Sequence, residues 1–378
     1  MSNPPIYLDH NATTPVADEV TEAMWPYLTT HFGNPSSDHP YGRAAKAGVE
    51  TAREQVAALI GAHPGEIVFT SGGTESNNLA IRGSAAGIEA GRMRVVTSAV
   101  EHPATTAPTR LLTAAGWEVT TLAVDGAGRI DPDACSTERS QVGLGTVILA
   151  QNEVGTIQPI AQLAESLHAR GAVVHTDAAQ AVGKIPVDVD DLGVDLLSIA
   201  GHKFYAPKGI GALYIRRGTP IDPVVVGAGQ EHGIRPGTEN VASVVGLGAA
   251  CTLAAVNLVA EAERIGDLRD QLWSELAAMI PGIVRLGDSV HALPNTLSIS
   301  VPRTRGLDVL AICPAIAAST GSACHTGEIE PSAVLVAMGV NAETVAGAIR
   351  LSLGRHTTSA QVSASATAIT AAAGTLTA

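Results

Sequence analysis

Short β-branched runs alternate with stretches of helical spacing from about residue 65 to 215. The runs 66–70, 94–98, 118–124, 145–150, 173–177, 196–200 and 211–215 read as strands, and 75–86, 103–115 and 159–169 read as the helices between them. That alternation predicts an α/β fold with an open, mainly parallel seven-stranded sheet covered on both faces. In such sheets ligands sit beyond the carboxyl ends of the strands, so the polar residues just after each run are the ones that matter for chemistry.

Residues 240–280 are rich in Ala and Leu with helical spacing and stop at Pro281 and Gly282, which marks a long connector into a second unit. Past it, 296–301 alternates with Leu297, Ile299 and Val301 on one face. A helix near 306–313 and a short run before Ser319 complete a smaller α+β unit. Thr358 and Gln361 have capping-box spacing, and Val362, Ala366, Ile369 and Ala373 recur at helical steps, so the chain closes with a helix.

Composition narrows the partners. Of 378 residues 46% are hydrophobic, enough apolar surface to exclude disorder. With 23 Lys and Arg against 36 Asp and Glu, the formal charge of −13 argues against nucleic acid or an anionic membrane surface. The N-terminus has no basic and apolar signal pattern, and no uninterrupted apolar run approaches bilayer length, so no membrane span is expected. Cys135, Cys251, Cys313 and Cys324 are widely spaced and never form a CxxC pair, which indicates neither disulfides nor a metal site and fits a reducing cytoplasm.

Several constellations carry candidate chemistry. In SIAGHKFYAPKGIG (198–211) a strand ends in Gly-His-Lys, and burial of Lys203 would leave a neutral amine able to condense with an aldehyde. In VVHTDAAQ (173–180) strand alternation places His175 and Asp177 on one face; an acid there can pair with a cationic ring nitrogen, although an Asp after a strand more often caps a helix. Gln180 follows one turn later. VFTSGGTESNN (68–78) is a strand, a glycine turn and a helix start, a seat for phosphate that also reads as simple capping by Ser71 or Thr74. His102, in Glu101-His102-Pro103 after the strand 94–98, is placed to stack on a planar ring, although most solitary histidines have no such job. Cys324 lies among the small residues of STGSACHTG (319–327), which give a nucleophilic thiolate access; Cys135, Cys251 and Cys313 fit buried structural roles better. Arg350, in AIRLSLGR (348–355), suits a bidentate grip on a carboxylate, with a surface ion pair as the plain alternative.

Taken together these segments resemble the cysteine desulfurases of the NifS/IscS type, pyridoxal-phosphate enzymes of the class V aminotransferase superfamily. The matching pieces run nearly end to end: YLDHNATTP (7–15), FGNPSSDH (32–39), TSGGTESNN (70–78), EHPA (101–104), QNEVGTIQP (151–159), HTDAAQ (175–180), GHKFYAPKGIG (201–211), RPGTEN (235–240), GSAC (321–324) and RLSLG (350–354). The resemblance implies a PLP-dependent transferase of fold type I, with a large cofactor domain over 15–255. A small domain over 1–14 plus 256–378 would carry a mobile Cys324 segment at about 319–332. It implies a homodimer, L-cysteine as substrate and a protein sulfur acceptor. Carried over by motif, Lys203 would hold pyridoxal 5'-phosphate and act as base, Asp177 would meet the pyridine nitrogen and His102 would stack on the ring. Gln180 and Asn152 would address the ring hydroxyl; Gly73, Thr74 and His202 would hold the phosphate, with Thr238 arriving from the neighbouring subunit. Asn34 and Arg350 would bind the substrate carboxylate, and Cys324 would accept sulfur as a persulfide.

Three departures stand out. Ala200 replaces the hydroxyl residue that the family carries before Gly-His-Lys, removing one expected phosphate contact, and Gln151 stands where Asn is common. His325 directly after the thiol is expected to lower the Cys324 pKa, and Ala-Cys-His also resembles selenocysteine lyases. A selenocysteine lyase and a non-catalytic sulfur-relay scaffold are therefore the alternatives to a desulfurase serving iron–sulfur cluster assembly or another sulfur pathway.

Overall fold

The computed structural model describes residues 4–134, 141–320 and 331–377. After a short strand β1 (Ile6–Tyr7), seven strands build one sheet: β2 (Ile67–Thr70), β3 (Arg94–Ser98), β4 (Glu118–Leu122), β5 (Leu144–Ile148), β6 (Val173–Asp177), β7 (Leu196–Ala200) and β8 (Gly211–Ile215). Their order is β2-β8-β7-β6-β5-β3-β4. Only β8 runs antiparallel to its neighbours; β3 to β7 are parallel. Successive residues of single strands enter two different hydrophobic cores: Val68, Val95, Val173, Leu196 and Leu213 on one side, Phe69, Val96, Val174, Leu197 and Ala212 on the other. Burial of both faces is why these runs are apolar throughout.

The expected strands all form, with ends displaced by a residue or two. Glu66 falls in a 3₁₀ turn capped by His63 rather than in β2. The helix expected over 75–86 starts earlier, at Gly73, and changes hydrogen-bonding period, with an α-helical turn Gly73–Asn78 leading into a π stretch Leu79–Gly83 and a last turn Ser84–Gly87.

The remaining strands, β9 (Val284–Leu286), β10 (Thr296–Ser300), β11 (Ile316–Ala317) and β12 (Ala348–Ser352), form two smaller sheets. One is antiparallel in the order β12-β10-β9; the other pairs β1 with β11 in parallel. Leu297, Ile299, Ile349 and Leu351 of the small sheet, Leu8 beside β1, and Val362, Ala366 and Ile369 of the closing helix Ser359–Thr377 share one core. The capping box of that helix is present: Thr358 N donates to Gln361 Oε1 at 3.0 Å and Gln361 N to Thr358 Oγ1 at 3.3 Å.

The helix Val241–Met279 joins the two parts. Val244, Leu247, Ala250 and Cys251 enter the core of the large sheet, whereas Ile265, Leu268, Leu272 and Leu276 enter that of the small one. This helix is long and apolar enough to cross a membrane by length and composition, although Ser243, Thr252 and Asn257 interrupt its apolar run. Its apolar character has a local cause, since it packs on the helices Asp18–Thr29 and Pro40–Leu59 so closely that a Cβ on Gly248 would lie 2.7 Å from the Ala52 Cα. Leu272 is fully buried between this helix and the small sheet. Leu272→Ala is expected to lower the free energy of unfolding by about 2–5 kcal/mol. Denaturant titration checks this, and a loss well under 1 kcal/mol would show that the site collapses around the cavity.

Candidate active site

The carboxyl ends of β2, β3, β5, β6 and β7 open into a cavity of about 470 Å³, closed on its far side by the N-terminal segment and β12. It is lined by Gly73, Thr74, His102, Asn152, Asp177, Gln180, Ala200, His202, Lys203 and Arg350, together with Asp9, Asn11, Ala12, Asn77 and Ser319. Ten of the residues singled out in the sequence therefore meet at one place. Asn34 and Thr238 do not: both are exposed and outside the lining, and Asn34 Oδ1 accepts from Ser36 N at 2.9 Å. Cys324 and His325 lie outside the described residues, as does Cys135.

Lys203 sits just past β7 in a single 3₁₀ turn. Its Nζ donates to the carbonyls of Asn11 at 2.7 Å and Ala12 at 3.0 Å. Burial, then the nearby Arg350 charge, lower its pKa to about 8, against the opposing pull of Asp177 and Asp9. A substantial fraction is therefore free amine near neutral pH, the form that attacks an aldehyde or takes a proton.

Asp177 ends β6 and is buried. Its Oδ2 accepts from Asn77 Nδ2 at 2.6 Å and its Oδ1 from the Ala179 amide at 3.0 Å, two donors that hold the carboxylate in place. Asn77 was not among the residues read from the sequence; it stands in the TESNN run, and only the fold brings it 100 positions along the chain to Asp177. His175, two residues earlier on the same strand, does not line the cavity: its ring bridges Thr146 Oγ1 at 2.8 Å and Ser198 Oγ at 2.9 Å, and burial lowers its pKa to about 4.

His102 is the N-cap of the helix Pro103–Ala114, and its Nδ1 accepts from the Ala104 amide at 3.1 Å. Desolvation lowers its pKa, with Lys203 adding to the effect and Asp177 opposing it. Burial and the charges of Lys203, Lys208 and Lys184 lower the His202 pKa to about 4. Both imidazoles are thus neutral at pH 7. The glycine turn also forms as expected: Gly72 has φ of 145°, which needs glycine, and a Cβ on Gly73 would lie 3.2 Å from the Ala200 methyl.

Arg350, on β12, reaches the cavity from the small sheet. Its Nη2 donates to Asp9 Oδ1 at 2.7 Å and its Nη1 to the Asn152 carbonyl at 3.1 Å, while its buried Nε has no partner. Asp9 is a second residue that the sequence reading missed. Ser319 O accepts from the Arg350 amide at 2.7 Å, and Ser332 Oγ donates to Glu153 Oε2 at 2.7 Å. The segment that contains Cys324 thus leaves and rejoins the described structure beside the cavity. Gln151 has a structural task, its Oε1 accepting from the amides of Glu153 and Val154.

Thr238 follows a pinned segment. Glu231 takes Arg53 in a buried bidentate ion pair at 2.8 Å and also accepts from the Phe69 amide at 2.8 Å. That grip holds Glu231 and His232 at φ of 45° and 60°.

The aminotransferase class-V family model matches residues 6–364. "Cysteine desulfurase IscS" of Dictyoglomus turgidum is 46% identical over 356 residues, which cover 93% of this chain and 90% of that relative. Among solved structures, a "NifS-like protein" superposes with a TM-score of 0.91 at 36% identity, covering 97% of this chain and 98% of the other. "SspA in complex with cysteine" superposes with a TM-score of 0.81 at 34% identity over 92% of this chain and 98% of that one.

Arg350→Met removes a positive charge beside Lys203, so the Lys203 pKa should rise from about 8 toward the ordinary lysine value. The pH dependence of Lys203 acylation, followed by mass spectrometry, reads this directly. An unchanged midpoint would contradict the role given to Arg350.

Proposed function

The chain belongs to the class-V aminotransferase family, and from that premise we propose that it is a pyridoxal-phosphate-dependent L-cysteine desulfurase. It converts L-cysteine to L-alanine and leaves the sulfur on Cys324 as a persulfide. The observation that carries this reading is the convergence of Lys203, Asp177, His102 and Arg350 on one cavity whose wall includes Ser319, five residues before Cys324. Five residues of chain span at most about 17 Å. The names and identities of the desulfurase relatives support the same activity.

The residues present fit the cofactor. The cavity is of the size that small-molecule sites have. It holds an amine of lowered pKa and a carboxylate locked by two donors, and two buried polar atoms in its wall, Asn77 Oδ1 and Arg350 Nε, lack partners. Bound there, pyridoxal phosphate supplies an electron sink for the substrate's α-carbon. Lys203 would hold it and Asp177 would face its pyridine nitrogen. His102 would lie on the ring, with Asn152 and Gln180 beside the ring oxygen. Gly73, Thr74 and His202 would take the phosphate.

Arg350 binds the substrate carboxylate, orienting the α-carbon toward Lys203. Lys203, as free amine, removes the α-proton. The Cys324 thiolate attacks the substrate sulfur; the new S–S bond forms as the carbon–sulfur bond breaks, and protonation of the three-carbon fragment gives alanine. One cysteine and one thiol thus yield one alanine and one persulfide, with no outside oxidant.

The large domain comprises 15–255 and the small one 1–14 with 256–378, two copies forming a dimer in the cytoplasm. The exposed side chains Trp25, Leu28, Phe32 and Tyr41, of which the last two stack at 5.3 Å, support a second copy as their cover. Thr238 then reaches across to the other copy's phosphate site. A protein acceptor takes the sulfur onward.

Purified protein mixed with L-cysteine and a reductant should release alanine and sulfide in equal amounts, and Cys324→Ala should release neither. Lys203→Ala should lose at least about 10²–10⁴-fold in rate. Turnover of selenocysteine that survives Cys324→Ala, with cysteine inert, would make the chain a selenocysteine lyase. Ala200→Ser restores a hydroxyl under Gly73, and should tighten pyridoxal phosphate binding by roughly 10–100-fold, the worth of one hydrogen bond to a charged group. Equal dissociation constants would show that Ala200 costs the site nothing.

A further inference from the structure

Gln180 and Lys184 stand four residues apart in the segment after β6. Lys184 Nζ donates to Gln180 Oε1 at 2.6 Å and to Asn11 Oδ1 at 3.0 Å. Gln180 Nε2 donates to the backbone carbonyl of Asn11 at 3.0 Å. A backbone carbonyl only accepts, which fixes Nε2 on the Asn11 carbonyl and turns Oε1 toward the Lys184 amine that donates to it, so the Gln180 carboxamide is clamped in one orientation from both ends. Turning it over would set its NH₂ against Lys184 and its oxygen against the Asn11 carbonyl. Asn11 is oriented independently, because its Nδ2 donates to the Asn152 carbonyl at 3.1 Å and to Thr296 Oγ1 at 2.8 Å, which leaves Oδ1 for Lys184.

The clamp has a consequence in the cavity, which Gln180 lines. Its oxygen is held by Lys184 and one of its N–H groups by Asn11. The function that remains for an occupant is the second N–H, a donor. The occupant must therefore offer an acceptor at this point. We infer that Lys184 is a positioning residue which, by fixing the Gln180 amide, makes the site favour the ionised ring oxygen of bound pyridoxal phosphate. The inference rests on the cofactor reading proposed above and assigns work to a residue that does not itself line that cavity.

The surroundings of Lys184 fit this task better than that of a structural ion pair. Among the described residues no carboxylate forms an ion pair with it. The charged or titratable groups around it are Lys203, Arg350, His10 and His202. Both of its hydrogen-bond partners are amide oxygens. Burial and the charges of Lys203 and Arg350 push its pKa well down, a cost that two neutral partners offset only in part. A buried lysine held on such terms is explained by what it does to Gln180.

The test is a visible-absorbance titration against pH of the full-length protein reconstituted with pyridoxal phosphate. A donor to the ring oxygen draws charge from it and makes the Lys203 nitrogen that carries the cofactor less basic. Lys184→Met frees the amide, and the midpoint should rise by about one pH unit. Lys184→Arg keeps donors facing Gln180 and should leave the midpoint near that of the wild type. Gln180→Glu keeps an oxygen partner for Lys184 while removing the donor to the ring, so its midpoint should rise as well; a purely structural role for Lys184 predicts no shift in Lys184→Met. A coloured, folded Lys184→Met protein with the wild-type midpoint overturns the inference. Should Lys184→Met not fold, an unmoved midpoint in Gln180→Glu overturns it equally. A wild-type protein with no visible band dependent on Lys203 overturns the cofactor reading and this inference with it, so the two failures are told apart.

Discussion

Asn11 is buried and every polar atom it has is engaged across the seam between the two sheets. Its amide donates to Ser352 Oγ on β12 at 2.9 Å, and its Nδ2 to Thr296 on β10 and to the Asn152 carbonyl after β5. Its Oδ1 accepts from Lys184 and from Asn295, and its backbone oxygen from both Lys203 and Gln180. A buried polar residue is tolerated when it is fully satisfied, and then it specifies one arrangement because any displacement orphans several groups at once. The N-terminal segment is fixed by this residue, and through it the small sheet is fixed against the chemically active ends of the large one. Lys203 and Gln180 take their places from the same carbonyl.

Why the cavity falls where it does follows from the order of the strands. Parallel strands point the same ends outward, so the residues that terminate β3, β5, β6 and β7 gather on one edge whatever their distance in sequence. Asp177 and Lys203 are 26 positions apart yet end neighbouring strands. The small sheet then contributes Arg350 from the opposite wall, where Asp9 holds the guanidinium ready. Because Asp177 belongs to the large sheet and Arg350 to the small one, the geometry of the site depends on the seam that Asn11 closes.

Much of this was legible in the sequence. The seven strands were readable because uninterrupted β-branched runs in a buried parallel sheet leave no competing period. Lys203 and Asp177 at the end of such a run, and Arg350 in the middle of another, were readable because a charged residue there contradicts its surroundings and demands a reason. What was not readable depends on partners that no local pattern names. Asn77 looks like a helix-terminus residue until β6 brings Asp177 to it; Asp9 and Arg350 meet across 341 positions. The long connector read at 240–280 does form as a helix, and Val241–Met279 serves two cores in succession, so its apolar stripe never settles to one face. The π stretch at Leu79–Gly83 left no sequence signal that distinguishes it from an ordinary helix.

The charges in the cavity explain how an occupant is oriented without a mould of its shape. The overall chain carries −13, yet the groups of the cavity wall and those behind it are mostly cationic or neutral: Lys203, Lys184 and Arg350, with His102 and His202 kept neutral by burial and by those same lysines. Had either histidine been protonated, it would have competed with Lys203 for the same electrostatic capacity and driven that amine's pKa lower still. Among the described residues that line the cavity the negative groups are two, and they are committed differently. Asp9 is spent on Arg350, whereas Asp177 receives only neutral donors and keeps its charge available. A molecule with a cationic ring nitrogen and anionic substituents therefore finds one productive direction, its cation on the large-sheet wall at Asp177 and an anion toward Arg350. Lower dielectric makes that preference stronger inside the cavity than in the solvent outside it. The same separation keeps Lys203, placed between the two poles, at a pKa where it can both bind and release a proton.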